Sequence, residues 1–339
     1  MMINELVDIS LFSRGGQFFM YGLLVVGVLL GISGVINLLR PRPVMERMTV
    51  RTLVVVNVVF IAGFLWICRL HYQIYCYLPL EMSEFLVGWF NQHIQGSGMP
   101  LLESSAPVRY TVPLWIENEK YYFWFMCYSM MSLAAHSRIT RHRLRALLHI
   151  MLSGQVLLLF FWFDPFSQPL SGFFSEVQPW FAGSQTPMER LRLFMQLYPR
   201  MIYYYNASYM WIHPPMLFLS YACITITFVT SIFMLFVRDM TIENTGYDFA
   251  KLGFVLLTLG MLLGYPWALQ AWGENWWWDP KICSSIMMWS IYSTYLHTRL
   301  YAARSGMWYF TSVMGILCFV SMVFTLLSSL YFPGEHSLQ

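Results

Sequence analysis

Eight apolar stretches dominate the chain, at roughly 18–39, 51–70, 121–136, 146–164, 212–237, 252–271, 283–300 and 308–331. Most approach the ~20 residues a helix needs to cross the ~30 Å hydrocarbon layer of a bilayer, the third being the shortest. Any one of them alone reads equally well as a buried core helix. Together they leave too little polar sequence to cover such a core, because only 11% of the 339 residues are charged, against about 25% in a soluble domain. No stretch alternates with the two-residue period of a membrane barrel strand. The expected fold class is all-α: a polytopic membrane helix bundle of about eight transmembrane helices. The same composition excludes an ordinary soluble enzyme, a disordered chain and a nucleic-acid binder. The first stretch has no small-residue cleavage site after it and is long for a secretion signal, so it reads as an uncleaved helix.

Charge orients the bundle. The loop after the first stretch holds Arg40, Arg42, Arg47 and Arg51, and the loop after the third holds Arg138, Arg141, Arg143 and Arg145. By the positive-inside rule both face the cytoplasm, and alternation puts 238–251 and 299–307 there too. The inner side then carries +8 and the outer side −5, which together make the formal +3. Both termini and two long connections, 71–120 and 165–211, fall outside as outer-face loops. No internal repeat is visible. Cys127, Cys223 and Cys318 lie within apolar stretches as small hydrophobes. Cys68 and Cys76 lie near the outer face, and their pairing is open. The absence of a Cys-x-x-Cys argues against a thiol–disulfide carrier.

Six of the 14 tryptophans lie between 267 and 289, with Trp272, Trp276, Trp277 and Trp278 inside seven residues of one outer connection. An interfacial belt scatters its tryptophans over many helix ends, whereas this cluster suits a platform for a large, flat, apolar ligand. A packed structural loop is the other reading. Gly273 allows close backbone approach. Asp279 and Lys281 follow, either as a clasp for the loop or with Lys281 facing an acidic group of the ligand. If the flat ligand carries iron, it needs axial donors, and imidazole serves. His213 opens the fifth stretch and His336 follows the eighth, both at the height of the tryptophans. His297 sits near the inner end of the seventh, where an ionisable residue is a functional candidate or a snorkelling one. His71, His93, His136, His142 and His149 read as solvated or interfacial polar residues.

Trp272-Gly273-Glu274-Asn275-Trp276-Trp277-Trp278-Asp279-Pro280-Lys281 resembles the tryptophan-rich WWD signature of haem-handling proteins, the superfamily of CcsA (ResC), CcmC and CcmF. Tyr295-Leu296-His297-Thr298-Arg299 and Gly334-Glu335-His336-Ser337 resemble motifs of the CcsA/ResC branch, and His213-Pro214-Pro215 is similar to the segment ahead of the WWD region. The motif-bearing part is 205–339, a haem-handling cytochrome c assembly domain, preceded by N-terminal helices and outer loops at 1–204. Where the family often continues Glu-Thr-Trp, Ile282-Cys283-Ser284 stands here.

The resemblance implies that haem b is held by Trp272, Gly273, Trp276, Trp277, Trp278 and Asp279, with Lys281 toward a propionate and His213 and His336 as axial ligands of the iron. His297 belongs to a transmembrane site through which haem enters. The implied partners are a CcsB/ResB-like membrane subunit, apocytochromes c bearing Cys-x-x-Cys-His and, indirectly, thiol-reducing factors. The implied function is haem presentation and covalent attachment at the outer face, with no classical nucleophile. The alternative is CcmC-like haem export without thioether formation. A quinol-linked cytochrome b subunit fits poorly, since its histidine pairs face each other inside the bilayer. The excess of Arg over Lys, 17 to 3, favours a bacterial cytoplasmic membrane over a thylakoid.

Overall fold

The structure is a computed structural model that describes residues 3–103, 106–182, 186–301 and 304–334. It is almost wholly helical. Among the described residues the one β-like feature is an isolated antiparallel bridge between Leu80 and Val108. A long helix stands at each of the eight apolar stretches: α2 (Ile9–Leu39), α3 (Pro43–Tyr77), α5 (Glu119–Arg138), α6 (His142–Trp162), α9 (His213–Phe236), α10 (Met240–Trp272), α11 (Pro280–Arg299) and α12 (Ser305–Tyr331). Among the described residues there are also four short α-helices, α1 (Ile3–Leu6), α4 (Glu84–Ile94), α7 (Ser171–Phe181) and α8 (Pro187–Arg200), and short π or 3-10 turns at Met201–Tyr205, Ser208–Trp211 and Gly273–Trp278. The protein is a multi-pass membrane protein.

Among the described residues six of the long helices have the length and apolarity to cross a bilayer by themselves, and α5 and α11 do not. For α5 the reason is its position. It packs on α3, α6 and α9, and Tyr122, Trp124, Phe125, Met126, Cys127, Tyr128 and Ser129 are all buried. A helix surrounded by protein does not need to be apolar toward lipid. The helices also overrun the apolar stretches. α10 is 33 residues, or about 50 Å, because Asp239 caps it a dozen residues ahead of the apolar run by accepting from the Thr241 amide at 2.9 Å.

The bundle has two halves. α2, α3, α5 and α6 form one and α9 to α12 the other, with α9 the link because it touches both α5 and α6. α9 is buried on nearly every face, and its Thr225 and Thr227 hydroxyls bond back to the carbonyls four residues earlier, at 2.7 and 3.0 Å.

Of the connections expected as loops, 165–211 is largely helical, while 71–120 is helical only at its two ends and over 84–94. α3 continues to Tyr77, and α4, α7 and α8 follow, α8 with a full capping box between Thr186 and Glu189. They extend the core of the bundle with an aromatic cluster. Phe90 meets Phe194 and Tyr198 edge-on at 4.8 and 4.9 Å, and Phe173 meets Tyr110 and Tyr205 at 5.1 and 5.0 Å. Glu176 ties this cluster down, accepting from the Tyr205 hydroxyl at 3.0 Å and pairing with Arg200 at 2.9 Å. Burial raises the Glu176 carboxyl above its ordinary range, against the pull of Arg200. Cys68 and Cys76 lie eight residues apart on α3, about 12 Å along one helix, which rules out a bond between them in this fold.

Candidate functional site

α10 ends where Gly273 takes φ +73°, a left-handed conformation that other residues rarely adopt. A 3-10 turn over Gly273–Trp278 follows, and Asp279 then starts α11. Its buried carboxylate accepts from the Lys281 and Ile282 amides at 2.9 and 3.3 Å, with Pro280 in the first helical position. The tryptophan segment is thus a short rigid bridge between two helix ends.

Its indoles have different surroundings. Trp272 donates to the Tyr204 hydroxyl at 2.8 Å and meets Trp267 edge-on at 4.7 Å. Trp276 lies edge-on to Tyr265 at 5.0 Å. Trp277 and Trp278 stack on each other at 4.1 Å and stay 46% and 66% exposed, an apolar surface offered outward.

His213 lies at the same end, packed on α10 ahead of this turn and linked to it through Trp267, which meets Trp272. Its Nδ1 lies 2.6 Å from the Gly260 carbonyl on α10. A carbonyl only accepts, so Nδ1 is the donor and the neutral ring keeps its lone pair on Nε2, the tautomer a metal-ligating histidine needs. The ring can come this close because α10 presents glycine there: a Cβ on Gly264 would fall 2.6 Å from the His213 Cε1. The buried Trp267 indole lies nearly parallel to the imidazole, 6.2 Å away at 26°, and is itself anchored by its Nε1 on the Tyr203 carbonyl. Gly260, Gly264 and Trp267 occupy one face of α10 at i, i+4 and i+7.

Lys281 lies at the same end, close enough for its charge to act on His213, and Lys120 at the start of α5 acts on Lys281 in turn. The C-terminal segment also arrives here. A Cβ on Gly334 would lie 2.6 Å from Asp279 Oδ2 and 2.7 Å from Pro280 Cδ. His336 lies outside the described residues.

The structure therefore brings His213, the tryptophan turn, Asp279, Lys281 and Gly334 to one end of the bundle. His297 is at the other. It occupies the last turn of α11, about 24 Å along that helix from Lys281, on an exposed face. Its Nδ1 is 2.8 Å from the Ser293 carbonyl, which again leaves Nε2 as the acceptor. Of the histidines expected to be solvated, His71 and His149 are buried instead, at 7% and 2% exposure. Trp267 and Lys120 are the neighbours that motif reading missed: each is distant in sequence from the residue it serves.

Residues 115–336 match the family described as cytochrome C assembly protein. That stretch begins ahead of the motif-bearing 205–339 and takes in α5, which packs on α9. A cytochrome c biogenesis protein CcsA from Cyanidium caldarium is 48% identical over 60 residues, 18% of this chain and 20% of that protein. One from Synechococcus sp. (strain CC9311) is 43% identical over 71 residues, 21% of this chain and 23% of that one. The matched stretches thus span about a fifth of these relatives' length. A solved structure titled cytochrome c heme lyase CcmF shares the fold, with a TM-score of 0.54 at 16% identity over 94% of this chain and 47% of its own. By the extent of the family match, this chain belongs to the cytochrome C assembly protein family.

Proposed function

We propose that the protein carries haem b to the outer face of a bacterial cytoplasmic membrane and presents it to an apocytochrome c for covalent attachment, as the CcsA-like subunit of a CcsB/CcsA (System II) synthase. The observation that carries this reading is His213: a histidine whose Nδ1–H is fixed by the Gly260 carbonyl, with Nε2 left for iron, beside a turn that exposes two stacked indoles. Haem is the cargo. His213 supplies one axial donor and His336, two residues beyond Gly334, the other. Trp272, Gly273, Trp276, Trp277, Trp278 and Asp279 form the platform, and Lys281 faces a propionate, with Lys120 adding to the positive field. His297 receives haem at the inner side, opposite a histidine of a CcsB/ResB-like partner. Residues 205–339 are the haem-handling part, and 1–204 support it.

The chemistry belongs to the substrates. Each reduced cysteine of the Cys-x-x-Cys-His adds across one vinyl group, sulfur to the carbon next to the ring and the proton to the terminal carbon, so no oxidant is consumed. The chain contributes position, holding haem where both thiols reach it, and excludes water with its aromatic wall. The apocytochrome's own histidine displaces one of the two axial imidazoles and releases the product.

The test is a visible spectrum of the purified complex, followed by reaction with reduced apocytochrome. Wild type should show a bis-imidazole spectrum and give haem that acid–organic extraction does not remove. His213→Ala and His336→Ala should each lose that spectrum, and external imidazole should restore part of it. Unchanged spectra in both variants would sink the ligand assignment. Haem that remains extractable from the product would favour export to a carrier instead.

A further inference from the structure

At the end of the bundle opposite the tryptophan turn, a cavity of about 180 Å³ opens between α2, α3, α5 and α6. Its chemistry comes from Arg42, Glu46, His136, His142, Arg145 and His149. We propose that this cavity binds a phosphate-type oxyanion, either the phosphate of a lipid headgroup or free phosphate.

Three independent features point to an anion. The first is charge. The single carboxylate, Glu46, is already held by Arg145 and by His142 Nδ1 at 2.8 Å, which leaves Arg42 unmatched at the rim. The second is backbone. The cavity lies at the N-termini of both α3 and α6, whose N-cap residues Arg42 and Arg141 make no side-chain cap. The positive ends of two helix dipoles thus lie at it, although Pro43 at the start of α3 offers no N–H. The third is a buried imidazole nitrogen without a partner. His149 is 2% exposed, it lines the cavity, and its Nδ1 has no hydrogen-bond partner, as is also true of His136 Nδ1 beside it. The two imidazoles lie parallel at 5.5 Å. An unsatisfied buried polar atom is costly, so the arrangement suits a ligand whose acceptor oxygens take up the Nδ1–H tautomers.

A cation fits poorly: among the described residues no group of three or more His, Cys, Asp or Glu is arranged to hold a metal. A tetrahedral oxyanion has oxygens enough for the Arg42 guanidinium and the imidazoles, which come from separate elements. The ends of spanning helices also lie at the level of headgroup phosphates. The site is independent of the haem reading, since none of its residues belongs to that assignment.

The experiment uses the full chain and two probes. Delipidated protein in detergent is titrated with inorganic phosphate, with chloride at matched ionic strength as control, and thermal unfolding is followed. Separately, protein taken from phosphatidylglycerol vesicles is examined by native mass spectrometry for retained lipid. The expected result is a phosphate-specific rise in Tm or a retained lipid in wild type, weakened about tenfold in Arg42→Gln and in His149→Gln. Arg42 is an exposed turn residue, so that variant reports binding even if the buried His149 variant folds poorly. Retention of lipid without a phosphate effect assigns the headgroup, and the converse assigns the free ion. If wild type responds to neither probe, or the Arg42 variant responds as wild type does, the proposal is overturned.

Discussion

His213, the proposed axial ligand, is held with little freedom. The ring is fixed from below by the Gly260 carbonyl, from the side by the Trp267 indole and from behind by the bare backbone of Gly264. Gly264→Ala tests that last contact. In a helix interior alanine is favoured over glycine by about 1 kcal/mol, so the change does not weaken α10 by propensity. Its methyl group instead displaces the imidazole and breaks the bond to Gly260. Haem retention should fall about tenfold while helix content by circular dichroism stays unchanged. Retention at the wild-type level would mean that the ring position is not what the site depends on. His213 itself was legible in the sequence, because a histidine followed by two prolines at the mouth of an apolar run marks a helix start at the membrane surface. Trp267 was not: its role depends on which face of α10 meets α9, and one apolar stretch does not reveal the rotation of another.

At the scale of the element, the tryptophan turn divides its indoles between anchoring and display. Trp272 is bonded to Tyr204 and Trp276 packs on Tyr265, while Trp277 and Trp278 stand exposed. Trp278→Ala should lower haem retention with little change in Tm, and Trp276→Ala should lower both. Trp89→Ala, on the exposed surface of α4, should lower neither. Equal losses from all three would return the turn to the role of an interfacial belt. The turn also depends on its Asp279 cap. Asp279→Ala removes the acceptor for the Lys281 and Ile282 amides and should cost about 1 kcal/mol in unfolding, whereas Asp279→Asn, which still caps, should cost less. Paired unfolding curves check this. The spanning elements were legible as apolar runs, but the outer connections were not recognised as helices. α4, α7 and α8 are amphipathic, and α7 and α8 carry interior prolines, so they leave no apolar signature. Their order comes from the aromatic cluster they share, which is a long-range property.

On the scale of the whole molecule, the two ends of α11 stand in different surroundings. One end carries Asp279 and the tryptophan turn. The other carries His297 two residues before Arg299, whose guanidinium pairs with the buried Glu243, bonds Asn244 at 2.7 Å and lies over the Tyr247 ring. This ties the end of α11 to α10. Removing one partner of a buried pair leaves the other uncompensated, so Glu243→Gln should cost about 3 kcal/mol, and Arg299→Met in the same chain should recover much of it. His297 stays outside that tie, exposed on the bundle surface, where lipid or a partner subunit meets it. An expected orientation was legible in the charges, but that His297 and the tryptophan turn stand at opposite ends of α11, about 24 Å apart from Lys281 to His297, emerges only once α11 is built. The separation yields a test of whether haem moves between them. His297→Ala should lower the haem content of protein isolated from cells, because uptake from the inner side fails. The same variant, given haem after purification from the side of the tryptophan turn in nanodiscs, should regain the wild-type bis-imidazole spectrum. His213→Ala should fail in both settings. A His297 variant that also fails to take up haem in nanodiscs would mean that the two ends act as one site rather than in sequence.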